Sequence, residues 1–380
     1  MGVHEVNFAI NMTYGGEFLQ DNGNGTELWE AFQLQYIFQG ILLPIISLFG
    51  VIGNILTMVV LWRREMQSTT ILFLRALVIT DTGIIIVACV AISPFTIALF
   101  HPEMSLFKDV IYPNIYTAVN YTVMTIQLCN VWITVFVSVE RYIAICHPFM
   151  ATRICTKRKT WVSLIVISII AVIYNIPRAL ATRAKTPCLE NQEEGVCFVL
   201  VNTAFGESFM YVTVYMVWMY AIIIYIIPLT LLSVLNILII KELMRMRERR
   251  AGTNIQEDSE ANLSLVLVLI VVVFILCQTP GLFAQFDFLF NGIVMLKWLA
   301  VSNTLFVTNS SVNFLIYTAV GRKFRKTLLK VFRRIFGKSI LSDVSRSSRM
   351  SIGGCEMSQL YKPVNEDTQI ENLEKVRLKD

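Results

Sequence analysis

A few charged and amide side chains stand inside long apolar stretches, and those are the positions where this chain could do chemistry. Asp81 follows Leu77-Val-Ile-Thr; if its helix begins near Thr69 it lies about 18 Å from that end. Asn54 and Asn130 sit in two other apolar runs, and a further run carries Asn303, Asn309, Ser310, Ser311 and Asn313. Asn309, Ser310 and Asn313 recur at three or four and share one helical face. Polar and ionisable groups are costly in hydrocarbon and need partners, so the economical arrangement gathers Asp81, Asn54, Asn130 and this stripe. Such a cluster either glues helices together or acts as a switch, with sodium at Asp81 the ion it would hold. Glu140-Arg141-Tyr142 ends another apolar run. Alone, that pair reads as side chains snorkelling to a membrane boundary. Catalysis is not expected: His4, His101 and His147 are scattered, and no metal-ligand cluster, phosphate loop or nucleophile–base pair stands out.

The elements that must position these groups follow from composition. Of 380 residues, 55% are hydrophobic and 16% charged, against about 25% charged in a soluble protein. Mean hydropathy is +0.62. That excludes a set of soluble domains, and a disordered chain for most of the length. Seven stretches lack Asp, Glu, Lys and Arg: Tyr36–Trp62, Thr82–Phe100, Val110–Val139, Thr160–Pro177, Ser208–Ile240, Ala261–Phe286 and Trp298–Val320. Each is close to the about 20 residues that span a bilayer. The second helix is extended back to Thr69 because only Asp81 interrupts it. The fold expected is an all-α membrane protein, a bundle of seven transmembrane helices.

Segments 63–68, 140–159, 241–260 and 321–338 hold 20 Lys and Arg, whereas the alternate connections hold Lys108, Arg178, Arg183, Lys185 and Lys297 and the first 35 residues none. The positive-inside rule then puts the N-terminus outside and the tail inside. Residues 1–35 read as an extracellular segment with glycosylation sequons at Asn11 and Asn24, and 36–320 as the bundle. Residues 321–336 read as a short amphipathic eighth helix on the inner leaflet, with Phe324, Leu328, Val331, Phe332, Ile335 and Phe336 on one face. Residues 337–380 read as a disordered, Ser-rich cytoplasmic tail. No cleaved signal peptide is evident, so the first span is expected to direct its own insertion. A nucleic-acid partner is not expected; the bilayer is.

Taken together, Glu140-Arg141-Tyr142 followed by Ile143-Ala-Ile-Cys-His-Pro148, Gly53-Asn54, Leu77-Val-Ile-Thr-Asp81, Pro177, Pro228, Pro280 and Asn313-Phe-Leu-Ile-Tyr317 resemble the signatures of rhodopsin-like G-protein-coupled receptors over about residues 36–336. Thr308–Tyr317 with Cys277-Gln-Thr-Pro280 looks like FMRFamide and myosuppressin-type neuropeptide receptors of invertebrates. The resemblance implies a plasma-membrane receptor in which Arg141, with Glu140, Tyr142, Asn313 and Tyr317, switches the inner face. Arg141 would hold the closed state through Glu140 and polar groups on helix six, then engage a heterotrimeric G protein. Arrestin would be a further partner through the Ser-rich tail. Several positions depart from the family: Gln278 replaces a Trp, Phe314 a Pro, Asn236 a Tyr and Ser168 a Trp. The family's disulfide would start in helix three at Tyr116, which is not Cys. Cys188 and Cys197 alone share the oxidising side and are expected to pair with each other, free thiols being the alternative.

The resemblance also narrows the ligand. The helix-three position that anchors amines is Val123, and the retinal-linking position is Val307, so an amine receptor and an opsin are not expected. Twelve acids against five bases on the outer side, with the Phe residues at the helix-six mouth, suit a cationic aromatic peptide, although solubilising charge with lipid-facing Phe would look the same. The expected pocket is Tyr116, Glu207, Gln278, Phe283, Phe286 and Asp287, taking a short amidated peptide. The alternatives are a receptor for a lipid or other non-peptide ligand, and a transporter or channel, which would explain Asp81 but predicts internal repeats.

Overall fold

The computed structural model describes residues 25–185, 198–249, 258–286, 290 and 292–333. Asn11, Asn24, Cys188, Cys197, Asp287 and the segment 337–380 lie outside the described residues. Seven helices are long and apolar enough to cross a membrane: α1 (Thr26–Leu61), α2 (Thr69–Ala98), α3 (Pro102–Cys146), α4 (Lys157–Ala181), α5 (Met210–Met246), α6 (Leu265–Phe283) and α7 (Gly292–Val320). The expected bundle is present. Most helices outrun the charge-free stretches, because charged residues at helix ends continue the helix beyond the apolar band.

Helix α3 is the axis of the bundle. Two thirds of its most apolar window (67%) is buried, against 33% for α4, and it packs on α2, α4 and α5, while α7 packs on α1 and α6. Ile165, Ile169, Ile173 and Ile176 of α4 and Leu48, Phe49, Ile52 and Ile55 of α1 face outward, an arrangement suited to lipid and unfavourable in water.

The prolines shape four helices in one way. Wide π-type turns run over Tyr36–Leu42, Ala88–Ile92, Leu106–Ile111 and Ala221–Ile226, each ending two residues before Pro44, Pro94, Pro113 or Pro228. In each case the residue before the proline donates its N–H to the carbonyl five back: Leu43 to Phe38, Ser93 to Ala88, Tyr112 to Phe107 and Ile227 to Ile222. A proline ring collides with the carbonyl four residues back and supplies no donor there. The wider turn makes room for it without ending the helix. Pro177 and Pro280 sit inside regular α-helix instead.

Two strands, β1 (Thr182–Lys185) and β2 (Val199–Asn202), form an antiparallel hairpin between α4 and α5, paired from Thr182↔Asn202 to Lys185↔Val199. Helical periodicity gave no sign of it. Its Leu200 packs with Tyr112 and Tyr116 of α3, and the Phe198 N–H donates to the Asp109 carbonyl at 2.7 Å.

Residues 322–333 form the short eighth helix, α8. Phe324, Thr327 and Leu328 are buried and Arg322, Lys323, Arg325 and Lys326 exposed, as the amphipathic pattern required. Arg325 donates to the Thr318 carbonyl at 3.1 Å and also to that of Ala319, satisfying the open C-terminal carbonyls of α7. Residues up to Leu328 belong to one compact unit and those from Leu329 to a second.

Candidate functional site

Three polar sites occur along α3. At one end Arg141 grips Glu140 with two bonds, Nε to Oε2 and Nη2 to Oε1, both 2.9 Å. Thr69 donates to Glu140 Oε1 at 2.6 Å, and Thr70 to Oε1 and Oε2 at 3.1 and 2.9 Å. Both charges are buried, so this is a shielded, hydrogen-bonded pair and not a snorkelling one. Its cross-helix partners come from the first turn of α2, which Ser68 caps by accepting the Ile71 N–H at 3.2 Å. The helix-six partners expected for Arg141 would fall within 258–264, whose side chains are outside the described set. Tyr142 stands apart and half-buried, its hydroxyl 3.4 Å from His147 Nε2. Arg75 braces the neighbouring connection: it donates to the Leu61 and Met66 carbonyls at 2.7–3.2 Å.

Further along α3, Asn130 and Asn313 clamp Asp81. Asn130 Nδ2 donates to Oδ1 at 2.8 Å and Asn313 Nδ2 to Oδ2 at 2.7 Å; Asn130 also donates to Thr80 at 3.0 Å. Asp81 is wholly buried. Asn54 joins through the Ser310 carbonyl, at 3.4 Å. Asn309 is buried, but its side chain is not one of those holding Asp81. Tyr317, one turn beyond Asn313, is buried against Phe324 with ring centroids 5.4 Å apart. The Tyr317 hydroxyl and Asn54 Oδ1 are buried without hydrogen-bond partners. Oxygen atoms of this kind, with the Asp81 carboxylate, are the donor type that hard cations take. Small residues let α7 come this close. A Cβ on Gly50 would lie 2.3 Å from Ser311 Oγ, and one on Gly53 2.8 Å from Phe314 Cβ. Phe314, in the family's proline position, therefore lies directly over Gly53.

Beyond Asn130 a cavity, about 690 Å³ with its open solvent included, lies between α2, α3, α5, α6 and α7. Its polar lining includes Gln127, Tyr220, Tyr225, Gln278, Ser302 and Asn303, with Val123 and Phe306 among the apolar groups. Tyr220 donates to Gln127 Oε1 at 2.9 Å. Tyr220 and Tyr225 are five residues apart, about 140° in a regular α-helix; the wide turns of α5 put both on one face. Gln278 Nε2 and Ser302 Oγ are buried without partners, offering a donor and a hydroxyl to a ligand.

Of the expected pocket residues that are described, Gln278 alone lines this cavity. Tyr116 is buried under the hairpin, its ring 5.7 Å from that of Tyr112. An aromatic contact thus occupies the place where the family's disulfide would begin. Phe283 is exposed at the end of α6, Phe286 lies against Trp218 with centroids 5.9 Å apart, and Glu207 is exposed in the turn before α5. Counting from helix ends placed these residues at the right end of the bundle but could not assign depth. Thr69, Thr70, Gln127, Tyr220 and Tyr225 were missed. Gln127 was detectable: it is an intramembrane amide three residues before Asn130.

Residues 53–317 match the model of the 7 transmembrane receptor (rhodopsin family). The chain belongs to this family. The receptor is 30% identical over 305 residues to the FMRFamide receptor of Drosophila melanogaster, covering 80% of this chain and 55% of that protein, so it spans little more than half of that relative's length. It is 30% identical over 326 residues to the probable G-protein coupled receptor frpr-1 of Caenorhabditis elegans, covering 79% of each. The FMRFamide peptide receptor frpr-18 of Caenorhabditis elegans is 25% identical over 299 residues, covering 76% of this chain and 68% of that one. The receptor is a multi-pass membrane protein whose Glu140–Arg141 pair and Asp81 cluster are both hydrogen-bonded.

Proposed function

We propose that the protein is a plasma-membrane receptor for an extracellular, amidated, FMRFamide-like peptide, with its N-terminus outside and its Arg141 end facing a heterotrimeric G protein. Its role is signalling, not catalysis. One observation carries this reading: a single continuous helix, α3, lines the cavity with Gln127, holds Asp81 with Asn130, and bears the Glu140–Arg141 pair. Gln127 and Arg141 are about 21 Å apart along that helix. A ligand that binds one arrangement of the cavity more tightly would shift the population of the charge pair at the far end. The relatives named for FMRFamide support the ligand class, and the lysine- and arginine-rich connections at the Arg141 end support the orientation. Asn11 and Asn24 would carry glycans, Cys188 and Cys197 a disulfide, Asp81 a sodium ion and the tail an arrestin site.

The test is nucleotide exchange on G protein in membranes expressing the receptor, challenged with FMRFamide and a panel of amidated peptides. Peptide-dependent exchange is expected, with an N-terminal epitope stained on intact cells. Exchange evoked only by lipids, or ligand-gated current without G protein, overturns the reading.

A further inference from the structure

Arg178 follows Pro177 near the end of α4 and is only 2% exposed. Its guanidinium carbon lies 4.7 Å from the Tyr220 ring centroid and 5.7 Å from that of Tyr215. The spacing of Tyr211, Tyr215 and Tyr220, four and five residues, matches the wide turns of α5, and their rings wall this side of α4. Tyr215 is fixed there by donating to the Tyr174 carbonyl at 2.9 Å. Aromatic faces attract a guanidinium but do not accept its in-plane N–H groups. Arg178 Nε and Nη1 are buried with no hydrogen-bond partner, and so is the hydroxyl of Tyr174, one turn earlier on α4. No carboxylate pairs with Arg178 among the described residues. A buried guanidinium with unfilled N–H donors calls for an anionic oxygen acceptor, which a carboxylate supplies. Tyr220 links this box to the cavity, since it also donates to Gln127 in the cavity wall.

We propose that Arg178, with Tyr174, Tyr215 and Tyr220, is a carboxylate-binding subsite beside the main cavity that receives an acidic side chain of the ligand. This rests on the peptide-receptor reading. The competing source of the carboxylate is the chain itself, because Glu190, Glu193 and Glu194 lie between β1 and β2. That hairpin is anchored three residues from Arg178, where the Thr203 N–H meets the Ala181 carbonyl at 2.9 Å.

The first experiment needs no peptide. The thermal midpoint of purified receptor is measured with 3-phenylpropionate and with its uncharged amide. The carboxylate alone is expected to stabilise wild type, to lose its effect in Arg178→Gln, and to keep part of it in Arg178→Lys, which retains charge without the planar fork. Equal effects of acid and amide, no effect of either on wild type, or an undiminished response in Arg178→Gln overturns the proposal. So does a response that appears only after Glu190, Glu193 and Glu194 are all changed to Gln, which assigns the box to the receptor's own loop. The second experiment compares FMRFamide extended at its N-terminus by Glu or by Gln. The Glu peptide is expected to bind wild type about tenfold more tightly and Arg178→Gln equally well; equal affinity for wild type counts against the subsite. If neither peptide activates, the functional reading fails, while the thermal experiment still decides the subsite.

Discussion

Replacing Asp81 by Asn would keep its shape and change which atoms can accept. Both carboxylate oxygens now take an amide N–H, from Asn130 at 2.8 Å and Asn313 at 2.7 Å. An amide at position 81 offers one oxygen, so one buried N–H₂ group would face another. Leaving one donor unsatisfied costs about 1–3 kcal/mol. Asp81→Asn is therefore expected to lower the thermal midpoint and to abolish any sodium dependence of agonist affinity, checked by agonist titration with and without sodium. Titrations that overlay wild type in both conditions defeat the prediction. Arg141 calls for a paired test. Arg141→Ala should abolish nucleotide exchange while surface expression is largely kept. Thr70→Val removes only the bonds from Thr70 to Glu140 and should raise exchange without agonist. Basal exchange unchanged in Thr70→Val would mean that these bonds do not restrain the pair. The acid–arginine pair and the Asp81 cluster were legible in the sequence because ionisable groups in apolar runs must find partners. The two threonines were not, since a hydroxyl satisfies itself on its own helix as easily as it crosses to another, and no spacing distinguishes the two.

At the scale of elements, seven spans could be read from charge-free stretches because the bilayer imposes length and polarity together. Register within a span could not. Wide turns before Pro44, Pro94, Pro113 and Pro228 rotate one part of each helix against the other, and in α5 they bring Tyr220 and Tyr225 to the same cavity. A strictly α-helical reading separates these two tyrosines, which is one reason neither was expected to line a cavity. The contact between α1 and α7 tests how tightly the bundle is packed. Gly50→Ala would set a Cβ 2.3 Å from Ser311 Oγ and 2.8 Å from Ser311 Cβ. Overpacking of this kind costs about 1–3 kcal/mol. The variant should lose thermal stability, and Ser311→Gly should restore much of it, since the double variant removes the two clashing Ser311 atoms and leaves only the flexible end of Ile85, whose Cδ1 lies at 2.8 Å. A double variant no more stable than Gly50→Ala would show that the approach of the helices is not the cause. The hairpin bears on the cysteines. Its last rung, Lys185↔Val199, leaves Cys188 three residues and Cys197 two residues further along the chain from their strands. Peptide mapping without reduction is expected to recover the two linked, closing a ten-residue loop for about 2–3 kcal/mol in the chain-entropy model. Recovery as free thiols refutes it.

Across the whole molecule the two ends differ in charge by more than membrane sorting requires. That rule counts Lys and Arg and is nearly indifferent to acids, yet acids accumulate toward the hairpin end. Several are already engaged there: Glu30 with Lys297 at 3.2 Å, Asp109 with Lys108 at 3.6 Å and Glu103 with His101 at 2.9 Å. Glu207 is exposed in the turn before α5 and has no ion pair among the described residues. It is the described acid most available to an arginine of a peptide, and a peptide that covered it would make a directional Arg–carboxylate contact that water replaces with difficulty. An acid on the rim would act differently, by drawing the peptide in and affecting mainly the association rate. Glu207→Gln is accordingly expected to weaken binding of an Arg-Phe-amide peptide by about 2–5 kcal/mol, with most of the loss in the dissociation rate. Changing that peptide's Arg to citrulline should remove the difference between wild type and variant. Glu30→Gln should leave the dissociation rate unchanged. Equal affinities in wild type and Glu207→Gln would make these acids a solvated surface and move the search for the peptide's arginine partner into the cavity itself, toward Gln278 and Ser302, whose buried polar atoms have no partner of their own.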